Sequence, residues 1–171
     1  MHSLYGMKII SGGQSGVDRA ALDVAIERGM QWGGWCPKGG WAEDFPNPPG
    51  LLPHYPHLRE TPEPHPLQRT EWNVRDSDAT LVITDGQGLQ VSIGTQRAHH
   101  YAHQNAQPLL MVDATDAEAL ARSTTWLQAQ MKRFGADLTL GIGGPRESEA
   151  PGIYGHAKTL IAALLERTHA H

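Results

Sequence analysis

Residues 10–26 read ISGGQSGVDRAALDVAI, and this stretch decides the fold class. An apolar run over 7–11, MKIIS, gives way to a turn holding Gly12, Gly13 and Gly16. Val17, Ala20, Ala21, Val24 and Ala25 then recur at helical spacing over 17–28, and Gly29 closes that helix as a C-terminal glycine commonly does. A short strand, a glycine turn and an amphipathic helix make one β-turn-α unit.

The unit recurs along the chain. QWGGWCP reads as a second strand ending at Pro37, and RTEWNVRDSD as a short helix ahead of ATLVIT over 79–84, a buried strand. The turn DGQGLQVSIGT leads to a helix over 96–105, the apolar run 108–112 to a helix over 116–132, and LTLGI with GGPRESEAPG to a helix over 153–167. Five strand candidates, each short and apolar and mostly followed by a helix, predict a parallel sheet covered on both faces. The expected architecture is a single three-layer α/β sandwich over 1–171, with about five or more mostly parallel strands.

One segment breaks the pattern. Nine of the twelve prolines fall at Pro37 and within 38–68, where fixed φ and missing N–H donors predict no regular element. Trp41, Phe45, Leu51, Leu52 and Tyr55 are anchors a linker would not need, so 38–68 reads as a long ordered loop or flap.

Composition narrows the function classes. With a formal net charge of −4, no global positive field recommends nucleic acid or an anionic membrane, so an anion must be bound locally. Cys36 is the single cysteine, which excludes an internal disulfide and a Cys-rich zinc module. No signal peptide or spanning segment stands out, and a cytoplasmic location is expected. His99 and His103 share a helix face without an acidic partner at the usual spacing, so no dedicated metal site is expected.

In open parallel sheets ligands gather at the carboxyl ends of strands. The turns SGGQSG, GQGLQVSIGT and GGPRES combine glycine with hydroxyl or amide side chains ahead of a helix, where unpaired first-turn N–H groups and the positive dipole end suit an oxyanion. None has the spacing of a dinucleotide or Walker fingerprint, and no GxSxG elbow occurs. Asp18, in the first helical turn, serves either the helix dipole or a ligand hydroxyl or base. Arg146 suits bidentate phosphate recognition. Lys38 is a solvated lysine or a phosphate contact, and Glu71, Asn73, Arg75 and Asp76 crowd Trp72 as a supporting polar cluster.

The segments GGQSGVDRAALDVA, GGWCPKGGWAED, RTEWNVRDSDATLVI, Gly94–Thr95 and GPRESEAPGIY occur in an order that resembles the molybdenum cofactor carrier family. That family looks like a circularly permuted branch of the YpsA-like, LOG-related (SLOG) Rossmannoid proteins, and the resemblance spans nearly the whole chain. It implies a Rossmann-like fold, assembly into a homo-oligomer, a tetramer, and binding of molybdenum cofactor or another phosphate-bearing pterin or nucleotide-like ligand for a molybdoenzyme client. Carried over position by position, its binding loops fall on Gly12, Gly13, Gln14, Ser15 and Gly16, on Lys38, on Gly94 and Thr95, and on Gly144, Pro145, Arg146, Glu147 and Ser148. Trp35, Trp41 or Trp72 would cover the ring system. Two departures stand out: FPNPPGLLPHYPHL is longer than the usual connection, and GQGLQVSIGT replaces a plain SGGT turn.

Three functions follow from the resemblance. The first is a non-catalytic carrier that holds the cofactor and delivers it. The second is a LOG-like phosphoribohydrolase acting on nucleoside monophosphates, but the glutamate of its PGGxGTxxE motif falls on Ala98, leaving Glu71, Asp18 or Glu147 to act. The third is a nucleotide-sensing module.

Overall fold

The computed structural model describes residues 6–169. The chain runs β1 (Lys8–Ile10), α1 (Val17–Glu27), β2 (Gln31–Cys36), β3 (Leu58–Glu60), α2 (Pro66–Arg75), β4 (Ala79–Thr84), α3 (Ile93–Gln104), β5 (Leu109–Asp113), α4 (Ala119–Phe134), β6 (Thr139–Gly143) and α5 (Ile153–His169). All pairings among the six strands are parallel, in the order β3-β2-β1-β6-β4-β5.

Crossover handedness assigns the helices to faces. From β1 the chain steps outward to β2 and β3, then crosses to β4 and β5, and returns to insert β6 between the halves. Right-handed crossovers put α1 and α4 on one face and α2 and α3 on the other. The main core lies on the α1/α4/α5 side, where Val17, Ala21, Leu127, Ile161 and Leu164 pack on Ile9, Leu81, Ile83 and Leu140, all essentially buried. Truncating one of these large side chains to Ala would cost about 2–5 kcal/mol.

The proline-rich segment corrects one expectation. It contains a regular strand, β3, which adds to the sheet edge with Gly34, Trp35 and Cys36 facing Leu58, Arg59 and Glu60. Proline still shapes its surroundings: Pro66 opens α2 at the position where a missing N–H costs nothing, and His65 Nδ1 accepts from Leu67 N at 3.2 Å. The apolar anchors are seated as well. Leu51 is fully buried in a satellite core with Leu22, Cys36, Ala42 and Leu58, against which Phe45, Leu52 and Tyr55 pack. Tyr55 and Tyr154 both donate to Asp23, at 2.6 and 2.5 Å.

Helix starts moved for identifiable reasons. Helix α3 begins at Ile93, not 96, because Ser92 caps it by accepting from Thr95 N at 2.9 Å. Helix α4 begins at Ala119 because Asp116 closes a preceding turn on Glu118 N at 2.9 Å.

Candidate functional site

Strands β1, β6 and β4 are neighbours, so the turns that follow them open side by side on one edge of the sheet. A cavity of about 450 Å³ lies there and reaches down the α2/α3 face. Its floor is Ile10, Val82, Gly141 and Gly143; its walls come from Thr70, Asn73 and Val74 of α2, Ile93, Thr95 and Ala98 of α3, and Trp41 of the flap. The sequence TLGIG explains the floor. Alternation in β6 sends Leu140 and Ile142 to the main core and leaves glycine on the cavity side.

Two of the three glycine turns are joined to each other. Val17 N donates to Pro145 O at 3.3 Å and Glu147 N to Ser15 Oγ at 3.1 Å. Gly16 makes this possible: its φ is 82° and a Cβ there would lie 2.4 Å from Pro145 O. Several further donors of these turns meet carboxylates of the protein itself. Ser15 Oγ and Ser148 Oγ (2.5 Å) donate to Glu43, as does Ser148 N at 3.3 Å. Burial opposes ionisation of Glu43, yet these hydrogen bonds from Ser148 and Ser15 outweigh it and hold its carboxyl below the usual range. Glu147 accepts from Gly152 N (2.6 Å) and Tyr154 N (2.9 Å) and so caps α5, while Glu149 accepts from Arg146 N at 2.9 Å and pairs with its guanidinium at 3.4 Å.

The third turn is different. The N–H groups of Ile93 and Gly94, in the first turn of the twelve-residue α3, donate to nothing among the described residues, and both residues line the cavity. Amides of this kind at the positive end of a helix bind oxyanions. Thr95 lies beside them, its Oγ1 accepting from Ser92 Oγ at 2.9 Å.

Deeper in the cavity sit Asp18 and Arg69, 9% and 7% exposed, with Oδ2 and Nη1 4.0 Å apart. Burial pushes the Asp18 carboxyl up to about 6, against opposing contributions from Arg69 and from hydrogen bonding to the backbone of Gln14 and Gly144. Burial also lowers the pKa of Arg69, whose Nη1 donates to Gly12 O at 3.0 Å. A Cβ on Gly12 would lie 2.7 Å from Arg69 Nη1 and 2.9 Å from Asp18 Oδ2, so any larger residue there would displace the two side chains beneath this turn.

Of the residues expected from sequence, the structure brings Gly12, Gln14, Asp18, Gly94, Thr95, Gly144 and Arg146 to the cavity. Gly13, Ser15, Gly16, Pro145, Glu147 and Ser148 join or brace the turns without lining it, and Lys38 lies exposed outside the lining. Trp41 lines the cavity; Trp35 and Trp72 do not, packing edge to face on each other at 4.8 Å. Asn73 braces β2 through Trp35 N (2.8 Å) and Trp35 O (3.0 Å). Sequence reasoning missed Arg69 and Glu43. Both stand inside quoted motifs, RTEW and WAED, but neither has a spacing that marks it.

Among the described residues no group of three or more His, Cys, Asp or Glu could hold a metal ion, and no helix is long and apolar enough to cross a membrane. Burial pushes the Cys36 thiol up to about 11, so it packs as a small apolar group.

Comparison with known proteins agrees with the fold. Residues 9–165 match the model of the circularly permuted YpsA SLOG family. A crystal structure from Syntrophus aciditrophicus SB, described as a molybdenum carrier protein, is 37% identical, with a TM-score of 0.78 over 92% of this chain and 94% of that one. No curated protein matches.

Proposed function

The chain belongs to the circularly permuted YpsA SLOG family, and on that premise we propose that it binds, protects and delivers molybdenum cofactor or a related phosphorylated pterin. The observation that carries this reading is the 450 Å³ cavity with two open amides of α3 at its rim, a size and position suited to a small phosphorylated ligand. In it, Ile93 N, Gly94 N and Thr95 take the phosphate, and Arg146 neutralises it. The backbone at Gly143, with Asp18 beside it, accepts a flat ring system, which Trp41 flanks. We further propose a cytoplasmic homo-oligomer, a tetramer, that hands its cargo to a molybdoenzyme.

The carboxyls of Asp18 and Glu149 favour a second reading, since they line the same cavity and could serve a phosphoribohydrolase although Ala98 stands where that chemistry's glutamate belongs. One preparation tests both. Protein purified from a host that makes molybdenum cofactor is assayed for molybdenum and, after oxidation, for fluorescent pterin. Near-stoichiometric pterin supports the carrier. Its absence, with ribose 5-phosphate released from nucleoside monophosphates at enzymatic rates, replaces it with the hydrolase.

A further inference from the structure

Asp18 and Arg69 are buried, their side chains 13% and 9% exposed, and face one cavity; Asp18 takes hydrogen bonds from the backbone of Gln14 and Gly144, and both side chains keep further hydrogen-bonding capacity. Of the five N–H groups of the Arg69 guanidinium, only Nη1 finds an acceptor among the described residues, the carbonyl of Gly12. At 4.0 Å the approach of Asp18 Oδ2 to Nη1 is too long for a hydrogen bond. The other polar side chains nearby are engaged: Asn73 with Trp35, Thr70 with Pro66 O at 3.3 Å, and Ser11 with Asp18 O at 2.7 Å. A buried carboxylate with lone pairs left after its two backbone bonds and a buried donor fork therefore stand side by side next to Gly143, facing the cavity.

We propose that Asp18 and Arg69 read the edge of a 2-amino-4-oxopyrimidine ring, Asp18 accepting from the ring N–H and the exocyclic amine while Arg69 donates to the ring carbonyl. This deepens the pterin reading above and rests on it, since the ring is one that pterins carry. The pattern fits because that edge presents donor, donor and acceptor in sequence. A carboxylate takes two adjacent donors in bidentate fashion, and a guanidinium has no use for a donor. The adenine edge offers one donor and one ring acceptor, which leaves a carboxylate oxygen facing a lone pair. Hypoxanthine keeps the carbonyl and ring N–H but lacks the amine. Guanine shares the complete edge with pterins, so the pair distinguishes ring classes, and the rest of the cavity must distinguish pterin from guanine.

The experiment is a calorimetric titration of the full chain with neopterin monophosphate, GMP, IMP and AMP. The first two bind, with GMP about tenfold or more tighter than IMP and tighter still than AMP, as expected when a buried charged acceptor loses its donor. The Asp18→Asn variant, checked for folding by circular dichroism, loses the preference for GMP over AMP while retaining the phosphate contribution. Equal affinity of the wild-type chain for GMP, IMP and AMP overturns the proposal and needs no variant, as does binding of none of the four. Discrimination among the purine nucleotides without binding of neopterin monophosphate supports this edge reading and overturns the pterin carrier. Tight binding of neopterin monophosphate by both wild type and Asp18→Asn does the reverse.

Discussion

Protonating Asp18 should switch off ring recognition, and the size of the effect follows from its position. Its carboxyl titrates at about 6 in the ligand-free protein because burial disfavours the charge. A ligand that donates two hydrogen bonds to the carboxylate binds the ionised form and lowers that pKa, so affinity must fall as pH drops through 6 and level off above it. Between pH 7 and pH 5 the ionised fraction falls about tenfold, and ligand affinity follows it by about 1.4 kcal/mol. The phosphate of GMP also titrates near pH 6. Measuring wild type against Asp18→Asn at each pH removes that contribution, because Arg69, Arg146, Glu149 and His65 line the cavity in both proteins. The ratio of the two affinities should shrink about tenfold from pH 7 to pH 5. A ratio constant across that range would refute the role given to Asp18. Stability without ligand has the opposite sign: the folded-state value lies above the ordinary 3.8, so the group weakens the fold as pH rises through that window, by up to about 3 kcal/mol.

Glu43→Ala removes the acceptor that holds the flap to the hydroxyls of Ser15 and Ser148, at a cost of about 1.5–3 kcal/mol. For a chain of this length that lowers Tm by roughly 3–10 °C by scanning calorimetry, and an unchanged Tm would show that the flap is held without it. Glu147→Ala strips the cap from α5 and should cost about 1–2 kcal/mol in urea unfolding with little change in affinity for neopterin monophosphate; a lost affinity with intact stability would make Glu147 a ligand contact instead. Lys38→Ala should leave that affinity within about twofold, since the exposed lysine lies outside the cavity lining, and a larger loss by calorimetry would place its ammonium on the ligand.

Periodicity and glycine punctuation made the sheet legible. ATLVIT forms β4 over the expected residues because six consecutive buried positions leave no alternative to a central strand. Strand β3 was hidden because three residues between prolines carry no pattern, and its place is set by the satellite core beneath Leu51 and Leu58. The turns were legible as positions but not as chemistry. Sequence shows that SGGQSG and GPRES follow strands, whereas their bridging by Glu43 depends on contacts that local spacing does not encode. Ser15 meets Glu43 28 positions further along the chain and the Glu147 N–H 132 positions further along. Arg69 illustrates the same limit. It lies 57 residues from the Gly12 carbonyl it binds, and only the crossing of α2 to the far side of the sheet brings them together.

One arginine–carboxylate pair in this fold shows what closure looks like when a pair serves stability. Arg19 grips Asp44 through two bonds of 2.8 and 2.9 Å, pinning the flap to α1 next to Phe45 and Tyr55. Asp18 and Arg69 remain 4.0 Å apart, although Asp18 is far more buried than Asp44 and a bond at contact distance would be stronger there. Keeping two charged groups dry without joining them is destabilising, and the raised Asp18 pKa records part of that cost. The cost is offset only if something else completes the hydrogen bonds. The flap supplies a fixed wall for that occupant, since Trp41 lines the cavity while Glu43 and Asp44, two and three residues on, are bonded to the turns and to α1. A rigid wall and an unfinished polar pair lower the ordering cost of binding and leave the ligand's ring edge to complete the pair.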